Sequence, residues 1–314
     1  MNVHRWLTPV PPSVAIAIAS RRITVVEVPS PGTTVRAYAG EGVPEGAIVP
    51  ALTGVNIVEP DVVRAAIKRA LDRAGLGAVR RAAMVVPDSV ARVSLLTFEQ
   101  VPTRPQDLEQ LIQWQLRKAL PYPIEEAVVS HFPAASGEGR LSVAAVVARR
   151  DVLAQYEGVL NELGVHAGVV DLASFNVINA VFAAGGPDGK DWLVIHMTPE
   201  ATTLAILRGE SLMFYRQRAH ADDEPLGSLV HQTAMYHEDR LGGGGFGRVW
   251  LSGAGPRVDE ARLEISRRLN VPVESVDVRP AAEVDGLDAA STEVLDALAA
   301  PVGILVRERR LARG

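Results

Sequence analysis

No cysteine occurs among the 314 residues. That excludes disulfides, thiolate metal sites and cysteine nucleophiles, and it sits easily with a reducing compartment. Positive charge is not in excess either. Lys and Arg number 32 against 37 Asp and Glu, for a net charge of −5, so the electrostatics give no reason to expect nucleic acid. Long apolar runs are missing too: the longest, residues 141–148, has strand length, far short of the roughly 20 residues that cross a bilayer. Residues 1–20 carry Pro9, Pro11 and Pro12 ahead of any apolar stretch and are not expected to act as a secretion leader. The expectation is a cytoplasmic protein that meets a membrane only through partners.

What is present is ordinary globular material, 47% apolar and 22% charged. The length suits two lobes with room for an insertion. Residues 14–18 and 23–28 are β-rich runs joined by a polar turn and predict a hairpin. Residues 35–48, rich in glycine, read as loop or edge strand. A helix is predicted over 62–74, with Val63, Ile67 and Leu71 on one face, then a buried strand at 82–86. Residues 90–96, 107–120, 128–132 and 141–147 form a β-α-β-β unit, its helix stopped by Pro121-Tyr122-Pro123. A helix at 151–163, a strand at 167–171 and a helix at 172–182 follow. The Gly185–Gly189 stretch marks a boundary. Beyond it come strands at 192–197, 201–207 and 212–217, a helix at 225–241, a strand at 248–252, a helix at 259–269, a strand at 273–276 and a closing helix at 292–310.

Five stretches in this order carry a resemblance: VAIAIASRRITVVEV (14–28), TGVNIVEPDVVRAAIKRAL (53–71), VVPDSVARVSLLTFEQVP (85–102), DLEQLIQWQLRKALPYPIEEAV (107–128) and VVDLASFNVINAVF (169–182). Together they resemble the PilM family of type IV pilus assembly platform proteins, relatives of FtsA and of the cytoplasmic part of GspL. The resemblance implies an actin-type, two-lobed α/β fold, shared with the heat-shock chaperone ATPases, with a small inserted β-α-β-β subdomain. Residues 1–88 and 149–186 would make the first lobe, with helix 292–314 available to pack back on it. Residues 89–148 would be the insertion and 187–291 the second lobe.

In this superfold two hairpin turns present backbone N–H groups to phosphate, and a carboxylate at each helps to hold Mg²⁺ and the attacking water. Positioning and charge neutralisation are the mechanism itself. Against the family's first turn, roughly Gly-Ile-Asp-Ile-Gly-Ser, this chain has Ala15-Ile16-Ala17-Ile18-Ala19-Ser20. Ala17 stands for the acid and Ala19 for the close-approach glycine. In the second turn Asp-x-Gly falls on His196-Met197-Thr198. The adenosine turn survives in part as Ser252-Gly253-Ala254-Gly255, and the ribose-side glutamate falls at or near Ser228. The expectation is a degenerate site without turnover, no required cofactor and no metal. ATP binding through Ser20, Thr198, Thr202, Gly253 and Gly255 stays open.

Other residues offer less. The seven histidines show no ligand spacing. Gly242–Gly245 lacks the Gly-Lys-Ser/Thr of a phosphate loop and reads as a flexible connection. Ser174 lacks a nucleophile elbow, and Glu125-Glu126 reads as a solvated turn. Arg149-Arg150 and the basic segment 307–313 read as solvated faces, with contact to acidic lipid or a partner as the alternative.

The resemblance implies a scaffold, not an enzyme. It would bind the N-terminal cytoplasmic tail of a single-pass, PilN-like inner-membrane protein and group it with platform and motor components of a pilus-like or related secretion machine. Leu116, Leu120, Tyr122 and Pro123 are the residues expected to line that groove, against the alternative that they close the subdomain core. The competing function is an actin-like ATPase of the same superfold with weak turnover.

Overall fold

Three β-sheets organise the computed structural model, which describes residues 11–30, 32–99, 102, 104–137, 140–185, 189–220, 225–283 and 291–313. The first sheet begins as the predicted hairpin, β1 (Val14–Ala19) and β2 (Arg22–Glu27), paired antiparallel from Val14↔Glu27 to Ala19↔Arg22. Edge strand β3 (Ala37–Gly42) lies beside β2, while β4 (Arg81–Val86) runs parallel to β1 on the other side. Helix α1 (Pro60–Arg73) joins β3 to β4 and buries Val63, Ala66, Ile67, Ala70 and Leu71, the stripe that a 3.6-residue period requires.

The chain then leaves this sheet to build another. Strands β5 (Ala91–Phe98), β6 (Ala127–Gly137) and β7 (Arg140–Arg149) form a sheet in the order β5-β7-β6, with helix α2 (Pro105–Arg117) on it. α2 starts two residues before the predicted Asp107. Proline at a helix's first position loses no hydrogen bond, so Pro105 begins the helix instead of breaking it. Residues 138 and 139 of the expected β6–β7 turn lie outside the described residues.

Helix α3 (Arg150–Asn161) returns the chain to the first sheet, which β8 (His166–Leu172) completes in the order β3-β2-β1-β4-β8. Helix α4 (Ala173–Ala184) follows. Of the predicted boundary 185–189, residues 186–188 lie outside the described set. Strands β9 (Asp191–Met197), β10 (Ala201–Arg208) and β11 (Ser211–Ala219) form the second sheet with β12 (Arg248–Ser252) and β13 (Val273–Ser275), in the order β11-β10-β9-β12-β13. Helices α5 (Leu226–Leu241) and α6 (Val258–Leu269) cover one face. Helix α7 (Thr292–Arg313) packs along α4 and against β1, β2 and β4.

Each of the two five-stranded sheets, with its helices, is called a lobe below. Strand β9 is buried throughout and serves two cores at once. Trp192 and Val194 face the α4–α7 layer and the first lobe, while Leu193, Ile195 and Met197 face α5 and α6. This is the alternation of a strand covered on both faces. The aromatic chain Phe182–Trp192–Trp250, with centroids 5.9 and 6.2 Å apart, continues the first core into the second sheet.

At the far end of β9, Asp191 accepts two bonds from Arg208 at 2.9 and 2.7 Å and one contact from the fully buried His237 at 2.6 Å. His237 stacks on Phe246, and its ring lies against the backbone of Gly243. The glycine run after α5 is therefore shaped by packing around an imidazole, where the sequence suggests a flexible connection.

Two expectations concern stability. A Cβ on Gly303 of α7 would lie 1.8 Å from the carbonyl oxygen of Asn176 on α4, so Gly303→Ala forces the helices apart. It should lower the free energy of unfolding by about 1–3 kcal/mol in urea titrations. The Arg208 hydrogen bonds hold the Asp191 carboxyl below its usual range against the opposing effect of burial, and His237 helps. A depressed carboxylate stabilises the fold above its unfolded pKa of about 3.9, and that stability is lost as pH falls through the folded value. Asp191→Asn should therefore be destabilised relative to wild type at neutral pH. The difference should shrink in urea titrations repeated below about pH 4.

Candidate functional site

Two regions between the sheets deserve the name. The first lies where the β1–β2 turn meets the β9–β10 turn. Ala17 and Ala19 sit in β1 with no side-chain polar atom to offer, and Ser20 is nearly buried in the turn. Its hydroxyl donates to the Glu200 carboxylate across the lobes at 3.0 Å. Thr198 is folded back on its own turn: its hydroxyl donates to the Ala201 carbonyl at 3.1 Å, and its oxygen receives the Ala201 N–H at 3.2 Å. Thr202 pairs with His220 Nε2 at 2.9 Å. His220 also bonds the Pro199 carbonyl through Nδ1 at 3.1 Å, and its backbone N–H donates to the Glu200 carbonyl at 2.9 Å.

His196 Nδ1 lies 3.3 Å from Ser252 Oγ. Beside it Gly253 has φ +78°, and a Cβ there would lie 1.9 Å from the Met197 carbonyl oxygen, so only glycine fits. The Gly253 N–H donates to Asp296 of α7 at 2.6 Å. Burial pushes the Asp296 carboxyl above its usual range, outweighing the Ser252 and Gly253 hydrogen bonds. Gly255 has φ +53° and begins the short turn into α6.

Of the residues expected to touch nucleotide, the structure thus brings Ser20 to the turn containing Thr198, while Gly253 lies beside His196, which stands where the second acid would be. Thr202 is turned to His220. Among the described residues no group of three or more His, Asp or Glu side chains is placed to hold a metal ion. The Ser20 hydroxyl and the Gly253 N–H are each engaged by a carboxylate of the other lobe.

The second region is a groove of about 780 Å³. Its walls come from β6 (Val128, Ser130, Phe132), β8 (Val169, Val170, Asp171), α4 (Phe175, Ile178, Asn179) and the β10–β11 turn (Leu207, Glu210, Leu212), with Arg307 and Leu311 of α7 at one end. Val128 and Phe132 are exposed large apolar side chains, and Phe132 meets Phe175 edge-on at 5.4 Å. Asp171, held by the Leu172 N–H at 2.8 Å and paired with Arg307, is the half-buried charge here. Burial raises its carboxyl and Arg307 opposes that rise. Both β6 and β8 are edge strands, each paired on one side only.

Leu116, Leu120, Tyr122 and Pro123 do not line this groove. Leu116 and Tyr122 are buried in the core between α2 and its sheet, together with Phe98, Ile112 and Val143, and Leu120 packs against that core. Pro123 is exposed in the turn after α2. An amphipathic helix on a three-stranded sheet needs apolar side chains for its own small core, and Leu116, Leu120 and Tyr122 help to supply them.

Sequence reasoning missed the residue that sets the distance between the lobes. Asp88, just after β4, is buried. It accepts the Ser174 N–H at the start of α4 at 3.0 Å and the Thr203 hydroxyl of β10 at 2.8 Å. Ser174 Oγ lies 2.9 Å from the Tyr215 hydroxyl of β11, and Gln217 donates to Ser89 at 3.1 Å. Burial pushes the Tyr215 phenol well above its usual range. An aspartate directly after a buried strand and a proline was the only signal in the sequence.

The family model described as "Type IV pilus assembly protein PilM" matches residues 15–239. A solved structure, "PilM-PilN type IV pilus biogenesis complex", superposes with a TM-score of 0.79 at 18% identity, over 98% of this chain and 100% of that one. The cytoplasmic domain of EpsL, an inner membrane component of the type II secretion system of Vibrio cholerae, gives 0.49 at 11% identity, over 95% and 94%. The ethanolamine utilization protein EutJ from Carboxydothermus hydrogenoformans gives 0.48 at 12%, over 95% and 90%. These last two fall below the level at which a likeness carries weight. No curated protein sequence matches. The fold is the actin-like α/β fold.

Replacing Asp88 strands a buried backbone donor and a hydroxyl at once. Asp88→Ala should lower the unfolding free energy by roughly 3 kcal/mol, and Tyr215→Phe by about 1 kcal/mol, as read from urea midpoints.

Proposed function

Because the chain belongs to the family of the type IV pilus assembly protein PilM, we propose that it is a cytoplasmic scaffold of a pilus-like or related secretion machine. In this reading it holds the N-terminal tail of a single-pass, PilN-like inner-membrane protein, reaches the membrane through that partner, and turns over no nucleotide. The observation that carries the reading is the 780 Å³ groove, bounded on two sides by edge strands. An extended peptide can add main-chain hydrogen bonds to such an edge and place alternate side chains into apolar pockets. The Phe132–Phe175 pair and Val170 offer those pockets. Among the described residues no helix is long and apolar enough to cross a membrane.

Scaffolding also makes sense of the polar arrangement around the cleft. Alanines at 17 and 19 and the carboxylate-occupied donors leave little for phosphoryl transfer. The competing reading, an actin-like ATPase with weak turnover, finds less support there and is tested in the same experiment.

The purified chain is titrated calorimetrically with synthetic N-terminal tails of membrane proteins encoded beside it, and assayed in parallel for Mg-ATP hydrolysis. A saturable tail complex without hydrolysis is expected. Phe132→Asp should weaken it at least about tenfold, or ~1.4 kcal/mol, with the chain still folded but its Tm somewhat lowered by loss of the Phe175 contact. Trp114→Ala, on the outer face of α2, should leave it intact. Hydrolysis above background, with no tail bound, would support the ATPase instead.

A further inference from the structure

The hairpin turns that would hold phosphate in this fold are close together and joined by a side chain of the protein itself. Glu200 projects from the β9–β10 turn and takes the Ser20 hydroxyl of the β1–β2 turn at 3.0 Å. Its own turn is braced from behind by His220, which bonds both the Pro199 and Glu200 carbonyls. A second carboxylate does the matching work at the other end of the cleft. Asp296, on a helix packed on the first lobe, takes the Gly253 N–H of the second at 2.6 Å. One turn earlier on that helix Glu293 pairs with Arg22 of β2 at 3.5 Å. In both places a carboxylate from one lobe meets a donor of the other.

We propose that Glu200 is a built-in substitute for a bound phosphate-type anion and Asp296 a matching strap at the turn that would face adenosine, so that the two lobes are clasped shut permanently without nucleotide. An anion between the turns of an actin-like frame bridges donors of both lobes, and each of these carboxylates makes the same kind of bridge. Because the clasp is covalently part of the chain, its effective concentration is fixed and does not follow the nucleotide pool. Its negative charge also repels any phosphate that approaches the same donors. The groove for the tail, whose walls come from both lobes and the inserted sheet, keeps one shape as a result. The inference rests on the no-turnover part of the proposed function and not on tail binding.

Amide hydrogen exchange on the full chain tests it, because a clasp has a reciprocal signature. Ser20→Ala should speed exchange in the 198–201 turn, and Glu200→Ala should speed it in the 19–22 turn, each by roughly tenfold or more. The double variant should be no looser than the single ones, since both remove one shared contact. Asp296→Ala should loosen residues 252–255 in the same way. In a parallel arm, Mg-ATP and inorganic pyrophosphate should leave the wild-type Tm unmoved. Unchanged exchange across the lobes in the single variants, or additive loosening in the double, overturns the clasp. A Tm raised by Mg-ATP or pyrophosphate in the wild type overturns the substitution of the anion, whatever the outcome with tail peptides.

Discussion

The carboxylate of Asp88 accepts from two directions at once, the Ser174 N–H at the start of α4 and the Thr203 hydroxyl of β10. Three segments far apart in sequence meet there: the end of the first lobe's interior strand β4, the helix that follows its edge strand β8, and the second lobe's sheet. A buried charge is tolerated only where its hydrogen bonds are made, so satisfying Asp88 also fixes where the second sheet stands. Tyr215 and Gln217 of β11 add their own bonds to Ser174 and Ser89. The large groove opens beside this cluster, with Val86, Val90 and Phe175 among its walls. Its shape is inherited from the lobe spacing.

Much of the fold was legible because its signals are local. The hairpin β1–β2 follows from two β-branched runs around a short polar turn, and α1 from Val63, Ile67 and Leu71 at helical spacing. The small sheet with α2 announced itself through its strands and the Pro-Tyr-Pro stop. The polar residues that matter are legible only in part. Ser20 stands out in the sequence because it sits in a turn whose neighbours can be aligned by order, but its partner Glu200 does not. Asp88, Glu200 and Asp296 owe their roles to partners 86, 180 and 43 positions away, and no periodicity records such a meeting. The groove residues were missed for another reason. Val128, Ser130 and Phe132 alternate like any half-buried strand, whereas Leu116 and Tyr122 look available until the core between α2 and its sheet is seen to need them.

Taken together, the polar contacts and the apolar surfaces divide the labour between two clefts of one frame. Where the turns face each other, every donor named above is matched by an acceptor from within the chain. Where the edges of β6 and β8 look into the groove, apolar side chains are left without such matching. One order of strands thus carries a cleft closed by its own polar contacts and a groove left open beside it.

Helix α7 carries a consequence for how the molecule comes into being. It packs on β1, β2, β4 and α4, so it closes a core whose other walls are made more than a hundred residues earlier. During synthesis the first lobe therefore waits with one apolar face uncovered until residues 292–313 emerge, and only then does Gly303 let α7 settle against the Asn176 backbone. Such long-range closure slows folding and exposes the nascent chain to aggregation. The helix that bridges the lobes in the finished protein is thus also the last wall its first core receives.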